Sequence, residues 1–263
     1  MLRSLYIGAT GMIAQQLSLD VVANNLANAN TTGYKKGRAD FQDLMYQIVQ
    51  EPGTTANQAG TGPTGIQVGL GVRPAAVGKI FTQGDFQSTN NPLDVAIEGD
   101  GFFQITLPNG ESAYTRSGAF KINEDGYLTT AEGYLVEPNI ALPADTLEIT
   151  ISAAGTVAVS QPNASALNTV GELQVARFQN PAGLRAIGKN LFQETESSGA
   201  PTLAVPGEDG SGTLAQRFLE GSNVSVVEEV VQMVTSQRAY EANSKVIQTA
   251  DQILQLALNL KRS

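Results

Sequence analysis

Across 263 residues the chain is 41% hydrophobic, carries 16 Lys and Arg against 25 Asp and Glu, and has no Cys, His or Trp. That is enough apolar material for one large or two modest domains with buried cores, while a formal charge of −9 repels phosphate backbones and argues against nucleic acid as a partner. Without Cys or His there are no disulfides, thiol nucleophiles, imidazole bases, Cys/His zinc sites or His-ligated haems, so no cofactor, no metal and no catalytic residues are expected.

The first thirty residues, MLRSLYIGATGMIAQQLSLDVVANNLANAN, imitate a leader: Arg3, a mildly apolar stretch, then Ala27-Asn28-Ala29 as a cleavage site. Gly8, Gly11, Gln15 and Gln16 break the continuous hydrophobicity a leader needs, so a cleaved signal peptide is not expected. No segment reaches transmembrane length without polar residues, so no membrane insertion is expected either. Read with a period of seven, the stretch gives Leu5, Ala9, Met12, Gln16, Leu19, Ala23 and Leu26, a helical seam that Leu2, Ile13 and Leu17 widen. Asn24, Asn25, Asn28 and Asn30, followed by Gly33, then end the helix and turn the chain, because Asn tolerates left-handed backbone and bonds its own neighbours. Residues 1–34 are therefore read as an N-terminal helix with an Asn-rich turn.

Residues 35–78 read as an extended linker or loop region, with the basic KKGR at 35–38 as solvated loop and EPGTTANQAGTGPTG at 51–65 as its most flexible part. Gly60, Gly62 and Gly65 match the dinucleotide pattern G-x-G-x-x-G, with Asp85 about twenty residues on. The context is wrong, since Pro63 stiffens the turn and strand-like alternation follows where a helix N-terminus would have to hold a pyrophosphate.

From about 66 the text alternates as antiparallel β structure does, first in IQVGLGV, and 79–213 is read as the β-rich domain, with Asn109-Gly110 and Asp125-Gly126 as two-residue hairpin turns and 196–213 as a further loop. Carboxylates at Glu98/Asp100, Glu124/Asp125 and Glu208/Asp209 sit beside Gly in predicted turns, where Asp and Glu occur for local reasons, and none has calcium-loop spacing. There is no G-x-S-x-G nucleophile elbow.

The segment 214–263 is read as a C-terminal helix, running from 222 to about 260. Its seam is Val226, Val230, Met233, Gln237, Tyr240, Ser244, Ile247, Asp251, Leu254 and Leu258, with Ser222 or Asn223 as cap and Glu228 and Glu229 in the dipole-favoured early turns. Val227, Val231 and Val234, then Val246, Ala250, Ile253, Ala257 and Leu260, make neighbouring faces apolar too. The fold class is α+β: helices at both ends forming a coiled-coil-like layer, and an antiparallel β-rich middle. The plain reading is that the end helices pack on each other in one closed domain. Against it, Gln16, Gln237, Ser244 and Asp251 weaken the seams, and a helix apolar on more than one side is made to be surrounded, most simply by copies of itself.

The run ANNLANANTTGYK, Ala23 to Lys35, resembles the N-terminal signature of the bacterial flagellar rod and hook family, with Asn24, Asn25, Leu26, Ala27, Asn28, Thr31, Gly33, Tyr34 and Lys35 all in place. NNPLDVAIEGDGFF at 90–103, AYTRSGAF at 113–120 and EGSNVSVVEEVVQMVTSQRAYEANSKVIQTADQILQ at 220–255 extend the likeness over essentially the whole chain, with Asn91 standing where much of the family has Gly. PTGIQVGLGVRP at 63–74 and NPAGL with GKNLF at 180–192 look most like the distal-rod branch.

The resemblance implies a structural subunit of a hollow helical tube, its end helices around an export channel and its β domain outside, transmitting torque from motor to hook. Implied partners are copies of itself, neighbouring rod and hook axial proteins, the periplasmic and outer-membrane rings around the rod, and the flagellar type III export apparatus. The implied location is the basal body, spanning the periplasm. Phe41 and Met45 are similar to an element that engages the export gate; a hydrophobic step on a helix extension is the other reading. The rivals are a proximal-rod or hook paralogue and, in a different class, a secreted β-domain enzyme or adhesin.

Overall fold

The computed structural model describes residues 2–51, 55–57, 60–61, 65–162 and 167–260, the side chains of Leu2, 55–57, 60–61, Ala257 and Leu260 excepted. Gly62 and Pro63 of the glycine-rich pattern lie outside the described residues. The chain has the expected α+β composition, with a helix at each end and an antiparallel β-rich middle. It divides into two compact units, each discontinuous in sequence: one holds Met1–Ala27, Gly37–Gly78 and Ser225–Ser263, the other Asn28–Lys36 and Lys79–Val224.

The first unit contains α1, Leu2–Ala27, and α2, Val226–Leu260. Helix α1 runs on through Asn24 and Asn25, so of the four asparagines expected to end it Asn28 and Asn30 alone lie in the turn at residues 28–30. Helix α2 starts later than its periodicity suggested. Ser225 precedes it and accepts the Glu229 N–H on its carbonyl at 3.0 Å, while the expected cap Asn223 spends its side chain on residues of the other unit.

The segment expected as a linker, 35–78, is a ribbon from Gly37 onward. Gly37–Asp43 pairs with Val72–Lys79, Tyr46–Gln50 with Ile66–Gly69, and Thr55–Asn57 with Gly60–Thr61, each pair nested inside the last. Within the Gly- and Thr-rich text that read as a free connection, Thr55–Asn57 and Gly60–Thr61 pair with each other, and Tyr46–Gln50 before it is short and exposed throughout, so it shows no alternation to detect.

In the second unit, nine strands among the described residues form one antiparallel sheet. Phe102–Thr106 lies at its centre, flanked by Ser112–Thr115 on one side and by Leu135–Val136 and Val175–Arg177 on the other. A three-stranded sheet, Glu148–Ile151, Thr156–Ser160 and Asn168–Glu172, and the pair Val95–Glu98 with Thr213–Gln216 supply further core residues. The main core gathers Val95, Ile97, Phe103, Ile105, Phe120, Val136, Val159, Leu173 and Val175, all at most 1% exposed. On the opposite face Phe102, Tyr114, Phe178 and Phe192 pack edge to face with Phe81, ring centroids 4.8–6.0 Å apart. Consecutive Phe102 and Phe103 are thus both buried, because this part of the sheet is covered on both sides.

Both predicted hairpin positions hold, with a different turn chemistry. Thr106 pairs with Ser112 and Ile122 with Leu128, leaving five residues between them. Only Gly110 and Gly126 take positive φ (80° and 85°); Asn109 and Asp125 do not, which excludes the type I′ turn that a two-residue loop uses.

Burial, with the negative charges of Glu194 and Glu137 adding to it, pushes the Tyr114 phenol up to about 12 from 10.0. The unfolded chain ionises at that position near pH 10 and the folded one does not, so stability is full below pH 10 and falls as pH rises toward 12. The expected loss is ~1.4 kcal/mol per pH unit across that window. Thermal melts at pH 9 to 12 should show this extra decline in the native chain and not in Tyr114→Phe; parallel declines would remove the assignment.

Candidate assembly surfaces

The signature residues close contacts within the chain. Asn25, 2% exposed, acts as a surrogate strand end: its Oδ1 accepts the Gly37 N–H at 2.8 Å and its Nδ2 donates to the Gly37 carbonyl at 2.9 Å, while also reaching Glu229 Oε2 at 3.1 Å. An aspartate there could not donate, and a leucine could do neither. In the turn that follows, Thr31 Oγ1 donates to Asn28 Oδ1 at 3.1 Å and the Thr31 N–H to the Asn28 carbonyl at 3.1 Å. Asn24 and Ala27 are exposed and Leu26 is half-buried.

Gly33 is required twice over. Its φ is +70°, and a Cβ there would lie 2.7 Å from the Ser117 backbone nitrogen and 2.9 Å from the Arg116 carbonyl carbon. Gly33→Ala should therefore cost roughly 2–5 kcal/mol, the sum of a left-handed non-glycine residue and an overlap with backbone that cannot rotate away. A melting temperature within a degree or two of the native chain's would refute this.

Tyr34 is buried with the Lys79 ammonium 4.2 Å from its ring centroid, and that ammonium donates to the Lys35 carbonyl at 2.9 Å. Lys35, expected in a solvated loop, is 1% exposed. The correction comes from Glu220, 185 positions away and fully buried: Lys35 Nζ donates to Glu220 Oε1 at 2.6 Å and to the Thr82 carbonyl at 2.7 Å. Glu220 Oε2 accepts Arg116 Nε at 2.6 Å, and the guanidinium spends its other donors on the carbonyls of Ile97, Gly99 and Gly101. Burial pulls the Lys35 pKa below its ordinary value, with Glu220 opposing the shift. Arg116 and Glu220 were not singled out from sequence, where Arg116 stood only inside AYTRSGAF.

The helices α1 and α2 run antiparallel in their unit and meet at a repeating set of pairs. Asn25 reaches Glu229, Ser18 Oγ lies 3.2 Å from Ser236 Oγ, and a Cβ on Gly11 or Gly8 would lie 2.8 Å from the Asn243 amide or 3.0 Å from Ile247. The first three pairs step by seven residues in each helix. This buried seam of Gly8, Ser18, Val22 and Asn25 lies one residue, about 100°, from the apolar seam read in the sequence. Leu5, Ala9, Met12, Leu19 and Leu26 flank it half-buried, and Gln16 and Ala23 are exposed. On α2 the fully buried residues among those described are Glu229, Ser236 and Ala250. Met233, Ile247 and Leu254 are half-buried, while Val226, Val230, Tyr240 and Leu258 are exposed, as are Val227, Val231, Val234, Val246 and Ile253.

Phe41 lies half-buried in the ribbon strand Gly37–Asp43, and Met45, 84% exposed, sits just beyond it. They belong to extended structure, so the helix-extension reading of this pair fails. A cavity of about 460 Å³ between residues 122–126 and 142–149 carries exposed carboxylates, with Arg217 paired to Glu148 at 3.3 Å. No cluster of three metal-ligating side chains occurs among the described residues, and no helix among them is long and apolar enough to cross a membrane.

Comparison with known proteins gives three family matches along the chain: a flagella basal body rod protein domain over 5–35, the D1 domain of the flagellar hook protein FlgE/F/G over 96–159, and the C-terminal region of the flagellar basal body rod FlgEFG proteins over 215–260. The chain is 52% identical to the flagellar basal-body rod protein FlgG of Borreliella burgdorferi, over all of both chains. It is 49% identical to that of Caulobacter vibrioides and 50% identical to that of Agrobacterium fabrum, in each case over 99% of this chain and 100% of the relative.

Proposed function

We propose that this chain, which belongs to the flagellar basal-body rod protein family and is a structural subunit rather than an enzyme, builds the distal part of the rod, polymerising with copies of itself into a hollow helical shaft that carries torque toward the hook. The observation that carries this reading is a mismatch in the helical pair. Its seam buries glycine, serine, asparagine and glutamate, while nine aliphatic side chains of α2 among the described residues, namely Val226, Val227, Val230, Val231, Val234, Val246, Ile253, Leu256 and Leu258, are exposed. An array of apolar residues of this extent marks an interface, and in a rod subunit its simplest cover is the same helices of neighbouring copies.

In that arrangement the signature residues Asn24, Asn25, Leu26, Ala27, Asn28, Thr31, Gly33, Tyr34 and Lys35 set the turn at which helix and β structure part, and Val226, Val230, Met233, Tyr240, Ile247, Leu254 and Leu258 line the helical layer. The domain reading stays a proposal: an inner helical layer from 1–34 and 214–263, an extended region over 35–78, and an outer β domain over 79–213. Its boundaries now follow the compact units, which move 28–36 and 214–224 to the β unit and 37–78 to the helical one.

Adjacent rod and hook axial proteins at the two ends of the shaft, ring proteins around it in the periplasm and outer membrane, and the type III export apparatus complete the proposed partners. Exposed Met45 with Phe41 is the segment offered to the export gate. Concentrating the purified chain and following it by sedimentation and electron microscopy tests the central claim: hollow rods support it, and a monomer at every concentration counts against it.

A further inference from the structure

We propose that Glu220 works as a clamp for the N-terminal turn, so that residues 28–36 lock onto the β unit only once the strand Phe218–Glu220 has docked near the other end of the chain. This goes beyond the polymer reading and does not depend on it. Four residues from three separated stretches converge on this one residue. Its carboxylate takes Lys35 and Arg116 and accepts the Gly84 N–H at 2.9 Å, and its backbone carbonyl accepts the Gly33 N–H at 2.8 Å. Phe218–Glu220 is itself held by pairing with Phe86–Ser88, and Asn223 adds a second tie, accepting the Lys36 N–H on Oδ1 at 2.7 Å and donating to the Ile80 carbonyl at 2.8 Å.

The charges give the clamp its direction. Lys35 and Arg116 are 1% and 4% exposed, and Glu220 bonds to both. Before residue 220 is in place, seating Lys35 beside Arg116 would put two cations together out of water without that carboxylate, which strongly opposes the closed position. With it in place the two cations share a carboxylate at hydrogen-bonding distance, and the turn closes. The β unit can therefore form its sheets while 28–36 remains open, and closure reports that nearly the whole chain has been delivered.

Hydrogen exchange on the full-length chain tests this, because the amides of Gly33, Lys36, Ile80 and Gly84 are all tied to this region. In Lys35→Met, which leaves Arg116 and Glu220 as a balanced pair, peptides covering 33–36 and 80–84 should exchange at least tenfold faster, with 148–160 unchanged. Glu220→Gln should loosen the same peptides further. Unchanged exchange at 33–36 in Lys35→Met would overturn the clamp whatever the second variant does. So would equal loosening of 33–36 and 148–160 in Lys35→Met, since the turn would then have no separate equilibrium.

Discussion

Replacing Val230 with aspartate is expected to stop polymerisation while leaving the β unit folded. In the isolated chain the position is 43% exposed and one turn into α2, where a carboxylate is favoured by the helix dipole and an exposed substitution changes stability by about 0.5 kcal/mol or less. Buried between copies, the same carboxylate has no partner, at a cost of roughly 3–5 kcal/mol per contact. Because each 1.4 kcal/mol is tenfold, the concentration needed for assembly should rise by about two to three orders of magnitude. Leu26→Asp should act in the same direction, though less cleanly, since it also places a negative charge at the C-terminal end of α1. Circular dichroism and melting of the β unit should be unaltered in Val230→Asp. Rods forming at the native concentration would show that this face is not buried between subunits.

The second large effect is expected in hydrogen exchange on the dilute native chain. The described buried apolar residues of the helical pair are Ala14, Val22 and Ala250, whereas the β unit has a cluster of eighteen. Ordering a residue costs about 1–2 kcal/mol of backbone entropy, which apolar burial must offset, and the helical seam offers little of it. Amides in 2–27 and 226–260 should therefore exchange on the order of 100-fold faster than those in Val95–Glu98 and Phe102–Thr106. They should slow to the rate of the sheet in assembled rods. Equal protection of helices and sheet in the monomer would mean that the pair is stable alone, and ordering on assembly would have to be abandoned.

What the sequence disclosed follows from which interactions have a local signature. Helical period and strand alternation located α1, α2 and most strands, because apolar side chains recur on one face. The same criterion placed the helical seam one residue off, since it counts leucines and valines, while the actual contact is made by Gly8, Gly11, Ser18 and Asn25, whose small size lets the backbones approach. The exposed ribbon strand Tyr46–Gln50 had no buried face to produce alternation, so it read as linker, whereas the alternation from Ile66 was legible. Lys35 lies 185 positions from its carboxylate, and a spacing of that kind leaves no pattern in the text. The asparagines were legible as a turn; that Asn25 would mimic a strand end for Gly37 was not.

The seven-residue rhythm of the helical seam also gives it a second alignment, shifted by one repeat, that must be excluded. Moving one helix past the other by seven residues, about 10.5 Å, would bring Asn25 level with Ser236, Ser18 with Asn243 and Gly11 with Ala250, again small or polar groups facing one another. Ile247, packed over Gly8, and buried Val22 are the larger apolar side chains of this groove, and they oppose the shift. What singles out the observed alignment is the contact of Asn25 with Glu229, backed by the grip of Asn25 on Gly37. The seam is thus graduated like a scale, its register read at the ends by Asn25 against Glu229 and Gly8 against Ile247.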